Sequence, residues 1–330
     1  LVCDRIDGAS GIVKYAYDDG GTSESEDDAW SVNFPNSAPD GLTRTTGVSG
    51  PLSDGETWAA LFGGRWLLST DEGCTWDDKG GVLPSTGDWQ LDAQGTTVYA
   101  WDRASSAGAF SKSDGASWTA TDASEPFVAF PVADPGVAGK LRGVQARGVV
   151  TSDDDGTNWD VSAASPAGTL TGAAVWPGGI DTIVAATSEG VFLSRSGGGG
   201  WDEIGVALET AGIVPSGVAI HPSDADTIWV IGTDTNGPVI EITTDAGLNW
   251  SLVVAQRNVD LDVTAALWPD PTEADVLLSH FDSGDGDGSI TMYRFFAGNI
   301  ESHKVSSYRG ISDIGFLPDG SWLAGVDSVP

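Results

Sequence analysis

The amino-acid sequence predicts an all-β fold, a seven-bladed β-propeller in which residues 1–330 form a single domain. Three observations predict this fold. A turn motif that ends in tryptophan recurs at a nearly constant spacing, pairs of short apolar strands precede the motif, and the two ends of the chain supply complementary halves of one blade. Repeats of about forty residues are typical of propeller blades.

The recurring motif is an eight-residue turn, Ser-x-Asp-x-Gly-x-Thr-Trp, which is complete at residues 69–76. The same spacing returns at 152–159 and 243–250, and with serine in place of aspartate at 111–118 and 194–201. The five tryptophans that end these motifs are separated by 42, 41, 42 and 49 residues. This spacing indicates one motif in each four-stranded blade.

Each motif combines residue types that form a fixed turn. A short aspartate or serine side chain can accept hydrogen bonds from backbone N–H groups one or two residues ahead, glycine adopts angles that strain other residues, and the tryptophan ring covers the turn. Because two of the five motifs replace the aspartate by serine, we interpret the motif as structural rather than catalytic or metal-binding. Its structural residues are Ser69, Asp71, Gly73 and Trp76, then Asp154, Gly156 and Trp159, then Asp245, Gly247 and Trp250.

Apolar strand pairs precede the motifs and identify the first two strands of several blades. Residues 173–187, 218–233, 265–280 and 314–326 each contain two short strands rich in β-branched and aromatic residues, joined by a turn with Pro or Gly. The last pair lacks a third and fourth strand, which the N-terminus supplies. We expect strands within about residues 11–34 to pair with strands within about residues 312–327 and close the ring.

Composition limits the partners and the compartment. The formal charge of −33, from 48 acidic and 15 basic residues, argues against nucleic acid and anionic membrane surfaces as partners. No run of 18 apolar residues predicts membrane insertion. Because the chain starts at Leu1 without an export signal, we expect a trimmed chain that is secreted, periplasmic or at the cell surface. There Cys3 and Cys74 would form a disulfide; two separate buried thiols are the alternative.

The turn motifs and the strand pairs resemble those of the Asp-box, or BNR-repeat, propellers. These include sialidases, xyloglucanases, sortilin-type receptors and photosystem II assembly-factor-like proteins, and the resemblance covers nearly the whole chain. The sialidase active site is not matched, since Arg5-Ile6-Asp7 lacks the proline of the family's motif and neither Tyr293 nor Tyr308 has the surroundings of its nucleophile. We therefore transfer no catalytic residue from these families.

The loops between the second and third strands are the predicted ligand-binding loops, because in the propellers that this chain resembles they line the top mouth of the channel. They contain Arg65, Arg103 and Arg147 in three successive blades, followed by Glu189 and Asp234 in the next two. The three arginines could bind a carboxylate, a sulfate or a uronic acid through bidentate hydrogen bonds. The alternative is that each arginine pairs with a neighbouring acid.

An acidic hairpin at residues 282–289 is a second candidate site. Asp282, Asp285 and Asp287 alternate with glycine and serine, as in loops that surround Ca²⁺ with oxygen atoms. The hairpin lacks the downstream glutamate of an EF-hand. A solvated hairpin in a protein without a cofactor is therefore the default interpretation, and Ca²⁺ binding is the alternative.

The sequence favours a monomeric, non-catalytic binding or scaffold module that presents its top-face loops to a protein or a glycan. The alternative function is a glycan-active enzyme, a glycoside hydrolase or lyase with a sialidase-like fold. Paired carboxylates about 5–10 Å apart across the channel mouth would favour the hydrolase.

Overall fold

The computed structural model of the chain describes residues 125–255 without a gap. Outside that range it describes the strands given below, together with residues 57, 70, 71, 75 and 76. The described residues form 28 strands and one short helix, and the strands form seven four-stranded antiparallel sheets. No described helix has the length and apolar character needed to cross a membrane.

The strands are short, in agreement with the turn residues between them. The first ten are β1 (Ile12–Asp18), β2 (Ala29–Asn33), β3 (Thr45–Ser49), β4 (Trp58–Phe62), β5 (Arg65–Ser69), β6 (Asp77–Val82), β7 (Trp89–Gln94), β8 (Thr97–Asp102), β9 (Phe110–Ser113) and β10 (Trp118–Ala120). The next eight are β11 (Phe127–Ala133), β12 (Leu141–Gln145), β13 (Gly148–Ser152), β14 (Asp160–Ala163), β15 (Leu170–Val175), β16 (Ile183–Thr187), β17 (Gly190–Ser194) and β18 (Asp202–Glu203). Helix α1 (Val206–Thr210) precedes β19 (Val214–His221), β20 (Asp224–Asp234), β21 (Gly237–Thr243), β22 (Ser251–Ala255), β23 (Ala265–Pro269), β24 (Leu277–Asp282), β25 (Ile290–Phe296), β26 (Asn299–Val305), β27 (Ile311–Phe316) and β28 (Trp322–Val326).

Unit 1, the first of two compact units, comprises Leu1–Thr121 and Val305–Pro330. Two of its sheets use strands consecutive in the chain, β3 to β6 and β7 to β10. The third sheet has the order β2-β1-β28-β27, in which Lys14 lies opposite Leu323. The N-terminal strands therefore share one sheet with the C-terminal strands.

Unit 2 comprises Asp122–Lys304 and contains four sheets, β11–β14, β15–β18, β19–β22 and β23–β26. In each of them the strands follow one another in chain order. The first strands of neighbouring sheets pack side by side, β11 on β15, β15 on β19 and β19 on β23. The fourth strand of each sheet lies at the opposite edge, and its side chains are largely exposed in β14 and β18.

The hydrophobic core of unit 2 lies between the faces of neighbouring sheets. Strands β12 and β16 are buried along their whole length, as expected for strands covered on both faces. One buried cluster joins β15–β18, α1 and β19–β22 through Val184, Val191, Leu193, Leu208, Ile213, Ile220, Ile228, Val230 and Val239. Burial of these apolar side chains supplies most of the stabilisation of the sheet contacts.

The first strands approach each other closely at two glycines. A Cβ atom on Gly172 of β15 would lie 2.8 Å from Cα of Gly217 on β19. No side chain fits between the two backbones at this point. Glycine is therefore required for the packing of these two strands.

Polar contacts also join neighbouring sheets. Trp176 Nε1 donates to the backbone oxygens of His221, at 3.1 Å, and Pro222, at 3.0 Å. Arg142 on β12 donates to the Ile180 carbonyl oxygen at 3.0 Å and forms an ion pair with Asp181. Each contact reaches the turn between the first and second strands of the following sheet.

The Asp-box turns connect the third and fourth strands of their sheets. In the turn at 152–159, Ser152 Oγ donates to Asp154 Oδ1 at 2.8 Å and accepts the Gly156 N–H at 2.9 Å. Asp154 Oδ1 accepts the Asn158 N–H at 2.8 Å, and Trp159 Nε1 donates to the Gly156 carbonyl oxygen at 3.0 Å. The side chains thus reach four residues ahead, beyond the one or two expected from the sequence.

The turn at 243–250 repeats this geometry. Thr243 Oγ1 accepts the Gly247 N–H at 2.8 Å, and Asp245 Oδ1 accepts the Asn249 N–H at 2.8 Å. The Asn249 side-chain amide, which donates to Asp245 Oδ2 at 2.6 Å, lowers the pKa of the Asp245 carboxyl. Trp250 Nε1 donates to the Ile204 carbonyl oxygen of the preceding sheet at 2.9 Å.

The first complete turn keeps the same pattern in its described residues. Ser69 Oγ donates to Asp71 Oδ1 at 2.8 Å, Asp71 Oδ1 accepts the Thr75 N–H at 2.7 Å, and Trp76 is buried. Gly73 and Cys74 lie outside the described residues, as does Cys3. The Cys3–Cys74 disulfide therefore stays a prediction.

Two successive left-handed residues shape the three Asp-box turns of unit 2 that the structure describes. The fourth and fifth box residues have φ angles of 60° and 78° at Asp155 and Gly156, 63° and 87° at Gly197 and Gly198, and 55° and 89° at Ala246 and Gly247. The fourth residue also donates its N–H to a carbonyl oxygen in the hairpin formed by the first and second strands of the same sheet. The three bonds are Asp155 N to Gly139 O at 2.7 Å, Gly197 N to Asp181 O at 2.8 Å, and Ala246 N to Asp226 O at 3.0 Å.

Candidate functional site

Three fully described turns connect the second and third strands of sheets in unit 2. Each has two residues and is followed by a glycine that begins the third strand. The glycines Gly148, Gly190 and Gly237 have φ angles of 142°, 143° and 138°, a region essentially restricted to glycine. In an antiparallel sheet these turns lie at the end opposite to the Asp-box turns.

Arg147, one of the predicted binding residues, is the second residue of the turn between β12 and β13. Its Nε donates to Gln145 Oε1 at 2.9 Å and lies 3.9 Å from Glu125 Oε2. Gln145 Nε2 in turn donates to the Glu125 carbonyl oxygen at 2.8 Å. The guanidinium is therefore positioned by its own sheet, and the Arg147 side chain is 34% exposed.

Glu189 occupies the equivalent position in the turn between β16 and β17, and it is exposed. Its N–H donates to Thr187 Oγ1 at 3.0 Å. A Cβ atom on Gly190 would lie 3.0 Å from Glu209 Oε1 and 3.7 Å from Glu203 Oε1. Two further carboxylates, one from β18 and one from α1, therefore lie beside this turn and make its surroundings acidic.

Asp234 lies two positions earlier than the other two predicted residues and is the last residue of β20. Its Oδ1 accepts the Asn236 N–H at 2.6 Å, so that Asp234 fixes the turn in the way that Thr187 does. The residue equivalent to Arg147 and Glu189 is Asn236, which is exposed. Sequence reasoning missed Asn236, although its position directly before Gly237 is the signal that could have identified it.

For the remaining predicted site residues, the structure describes either the backbone alone or nothing. Arg65 begins β5 and Asp282 ends β24, but their side chains are not described. Arg103, Asp285 and Asp287 lie outside the described residues altogether. The convergence of three arginines and a calcium-binding hairpin therefore stay predictions.

The described acids do not form a metal centre. Within the described part of the chain, no three or more His, Cys, Asp or Glu side chains are grouped as metal ligands would be. The chemistry of the three turns is therefore that of hydrogen bonds and charge. A cation, an anion and an amide follow one another at equivalent positions of successive sheets.

Comparisons with known proteins identify the fold. No protein-family model matches the chain, and no curated protein does. Among solved structures, YCF48 from Cyanidioschyzon merolae is similar at 14% identity, with 88% of this chain and 96% of that chain covered and a TM-score of 0.61. A structure of YCF48 bound to a D1 peptide is similar at 19% identity, with 86% and 92% covered and a TM-score of 0.54.

A glycoside hydrolase is similar as well. The GH74 xyloglucanase from Xanthomonas campestris shares 14% identity over 87% of this chain, with a TM-score of 0.62, and this chain spans 52% of its length. These similarities support the predicted β-propeller fold. Because the same fold carries a peptide-bound protein and a glycoside hydrolase, function must be argued from the site.

Proposed function

We propose that this chain is a non-catalytic binding propeller that holds a segment of a partner protein at the turns between the second and third strands. The observation that supports the proposal is the equivalence of three turns in unit 2. They share one backbone geometry and differ in the side chain that they present, Arg147, Glu189 or Asn236. A constant scaffold with variable loop residues is the usual construction of a recognition surface.

The turns are suited to binding because they are ordered before a partner arrives. Arg147 is positioned by Gln145, while Thr187 and Asp234 fix the backbone of the other two turns. Little side-chain and loop entropy is therefore lost when a ligand binds. A ligand with a carboxylate or carbonyl near Arg147 and a donor or cation near Glu189 would match the charges.

We also propose a closed ring of seven blades and an extracytoplasmic location for the protein. Seven four-stranded sheets and the pairing of β1 with β28 support seven blades closed by the two chain ends. We further propose an exported protein in which Cys3 and Cys74 form a disulfide. Intact mass measured with and without a reductant tests the disulfide, since a pair of free thiols would give the same mass in both samples.

Selection of ligands from a displayed library of random twelve-residue peptides tests the binding function. The library is selected on the unaltered chain, and the recovered peptides are then measured against two triple variants. One variant carries Arg147→Ala, Glu189→Ala and Asn236→Ala. The control carries Asp153→Ala, Thr157→Ala and Leu248→Ala, which alter exposed Asp-box positions at the other end of the sheets.

Loss of peptide binding in the turn variant and its retention in the control are the expected results. Equal binding by both variants would show that the turns are not the site. A glycan array probed with the same three proteins distinguishes the other ligand class. Binding to a glycan but to no peptide would replace the protein partner by a sugar.

A glycoside hydrolase is the second candidate, and the similarity to the xyloglucanase fold favours it. Incubation with xyloglucan and measurement of new reducing ends tests this function. We expect no release above that of a heat-inactivated sample. Release that depends on the native chain would contradict the non-catalytic proposal.

A further inference from the structure

Glu241 is a carboxylate at a position where the neighbouring sheets have apolar side chains. It lies on β21 opposite Val230, a member of the buried cluster between β15–β18 and β19–β22. The equivalent third-strand residues are Val150, which pairs with Val161, and Phe192, which pairs with Glu203. The β19–β22 sheet therefore places an acid on its packing face.

The Glu241 residue is only 9% exposed. Burial raises the pKa of its carboxyl, and no hydrogen bond or opposite charge from the described residues counteracts this effect. A buried charge without a partner is destabilising, and such groups are rarely kept without a compensating role. The Arg142 guanidinium, which is buried between the β11–β14 and β15–β18 sheets, has an ion-pair partner in Asp181.

An exposed apolar residue lies beside this carboxylate. Leu252 on β22 is the register partner of Glu241 and is 54% exposed. The preceding sheet leaves it uncovered because β18 contains only Asp202–Glu203, after which the chain turns inward and Ile204 N donates to Val191 O at 2.9 Å. The outer part of the sheet face thus offers an apolar surface next to an acid.

We infer that Glu241 and Leu252 form a binding site for a lysine or arginine side chain of a partner protein. Such a side chain has an aliphatic stem, which packs on Leu252, and a cationic end, which reaches the carboxylate. The charge of −33 favours approach of a basic segment and disfavours an acidic one. A metal ion fits less well, because one carboxylate supplies too few oxygen ligands.

This site is independent of the proposed function. It lies at the outer strands β21 and β22, whereas the proposed peptide surface consists of the turns between second and third strands. A partner bound at the turns does not require Glu241. The two inferences can therefore fail separately.

Fluorescence anisotropy with a labelled hexapeptide of alternating lysine and valine tests the site. Glu241→Gln and Leu252→Ser should each weaken binding by roughly tenfold, as expected for the loss of a partly desolvated charge-assisted contact or its apolar support. Asp160→Asn removes an exposed charge on β14, and Val161→Ser alters the residue equivalent to Leu252. Both controls should bind within about twofold of the unaltered chain.

Acetylation of the peptide lysines keeps the stem and removes the charge, so the acetylated peptide should not bind. Peptide at one fixed concentration should raise the unfolding temperature of the unaltered chain by more than that of Glu241→Gln. The inference is overturned if the unaltered chain does not bind the lysine peptide. It is also overturned if Glu241→Gln and Asp160→Asn lose affinity equally, because the attraction would then be general.

Discussion

Asp154 is the side chain on which the Asp-box turn at 152–159 depends. It accepts hydrogen bonds from Ser152 Oγ at 2.8 Å, from Asn158 N at 2.8 Å and from Asn158 Nδ2 at 2.5 Å. Alanine at this position removes all three bonds. Each bond in an exposed turn contributes about 0.5–1 kcal/mol, so Asp154→Ala should lower the free energy of unfolding by about 2 kcal/mol.

The serine-containing turn at 194–201 provides the matched control. Ser196 stands at the position of Asp154, and its hydroxyl lies 3.5 Å from Ser194 Oγ, at the limit of a hydrogen bond. Its backbone N–H still donates to Ser194 Oγ, at 3.3 Å, and alanine retains that bond. Ser196→Ala should therefore change the free energy of unfolding by less than about 0.5 kcal/mol.

Equilibrium unfolding in urea, followed by tryptophan fluorescence, measures both variants. Trp159 closes the turn and packs on Phe127 with ring centroids 5.0 Å apart, and it is one of the 14 tryptophans whose combined emission follows unfolding. We expect a lower midpoint for Asp154→Ala with an unchanged dependence on urea. Equal losses in Asp154→Ala and Ser196→Ala, or no loss in either, would refute the account of the turn.

Two glycine substitutions and one buried carboxylate should also change the free energy of unfolding. Gly172→Ala places a Cβ atom 2.8 Å from Gly217 Cα, and this overpacking should cost about 1–3 kcal/mol in urea unfolding; an unchanged midpoint would contradict the close approach of the strands. Gly148→Ala combines a φ angle of 142° with a clash against the Ala163 carbonyl oxygen, and it should cost at least about 2 kcal/mol by the same measurement. Because burial raises the pKa of Glu241 in the folded chain, the folded state binds more protons than the unfolded state at pH values above the ordinary carboxyl range. The unaltered chain should therefore lose stability relative to Glu241→Gln as the pH rises from about 4 to 7, and a constant difference would rule out the raised pKa.

Much of the strand pattern could be predicted because its signals are local. The apolar pair at 173–187 corresponds to β15 and β16, and the pair at 218–233 corresponds to β19 and β20. Turn residues and β-branched strands act within a few positions of one another. The box spacing likewise depends on side chains that bond within four residues.

The site could be predicted only in part, because its environment comes from distant parts of the chain. Arg147 and Glu189 were identified from turn order, but Glu203 and Glu209 reach the Gly190 turn from a fourth strand and a helix. No local pattern connects them. The burial of Glu241 similarly depends on packing against the preceding sheet, which the sequence of its own strand does not reveal.

In three sheets of unit 2, a backbone hydrogen bond joins the Asp-box turn to the hairpin formed by the first two strands. Asp155 N to Gly139 O, Gly197 N to Asp181 O and Ala246 N to Asp226 O tie together the two hairpins of each sheet at one end. In each of these three sheets the two hairpins are thus joined within the sheet itself, so that the sheet can be duplicated as a unit. Residues 146–147 and 235–236 lie at the opposite end, where a longer loop could be grafted without loss of the sheet. The turn at 188–189 differs, because the Ser188 N–H donates to the Thr169 carbonyl oxygen at 2.9 Å and joins this turn to its sheet.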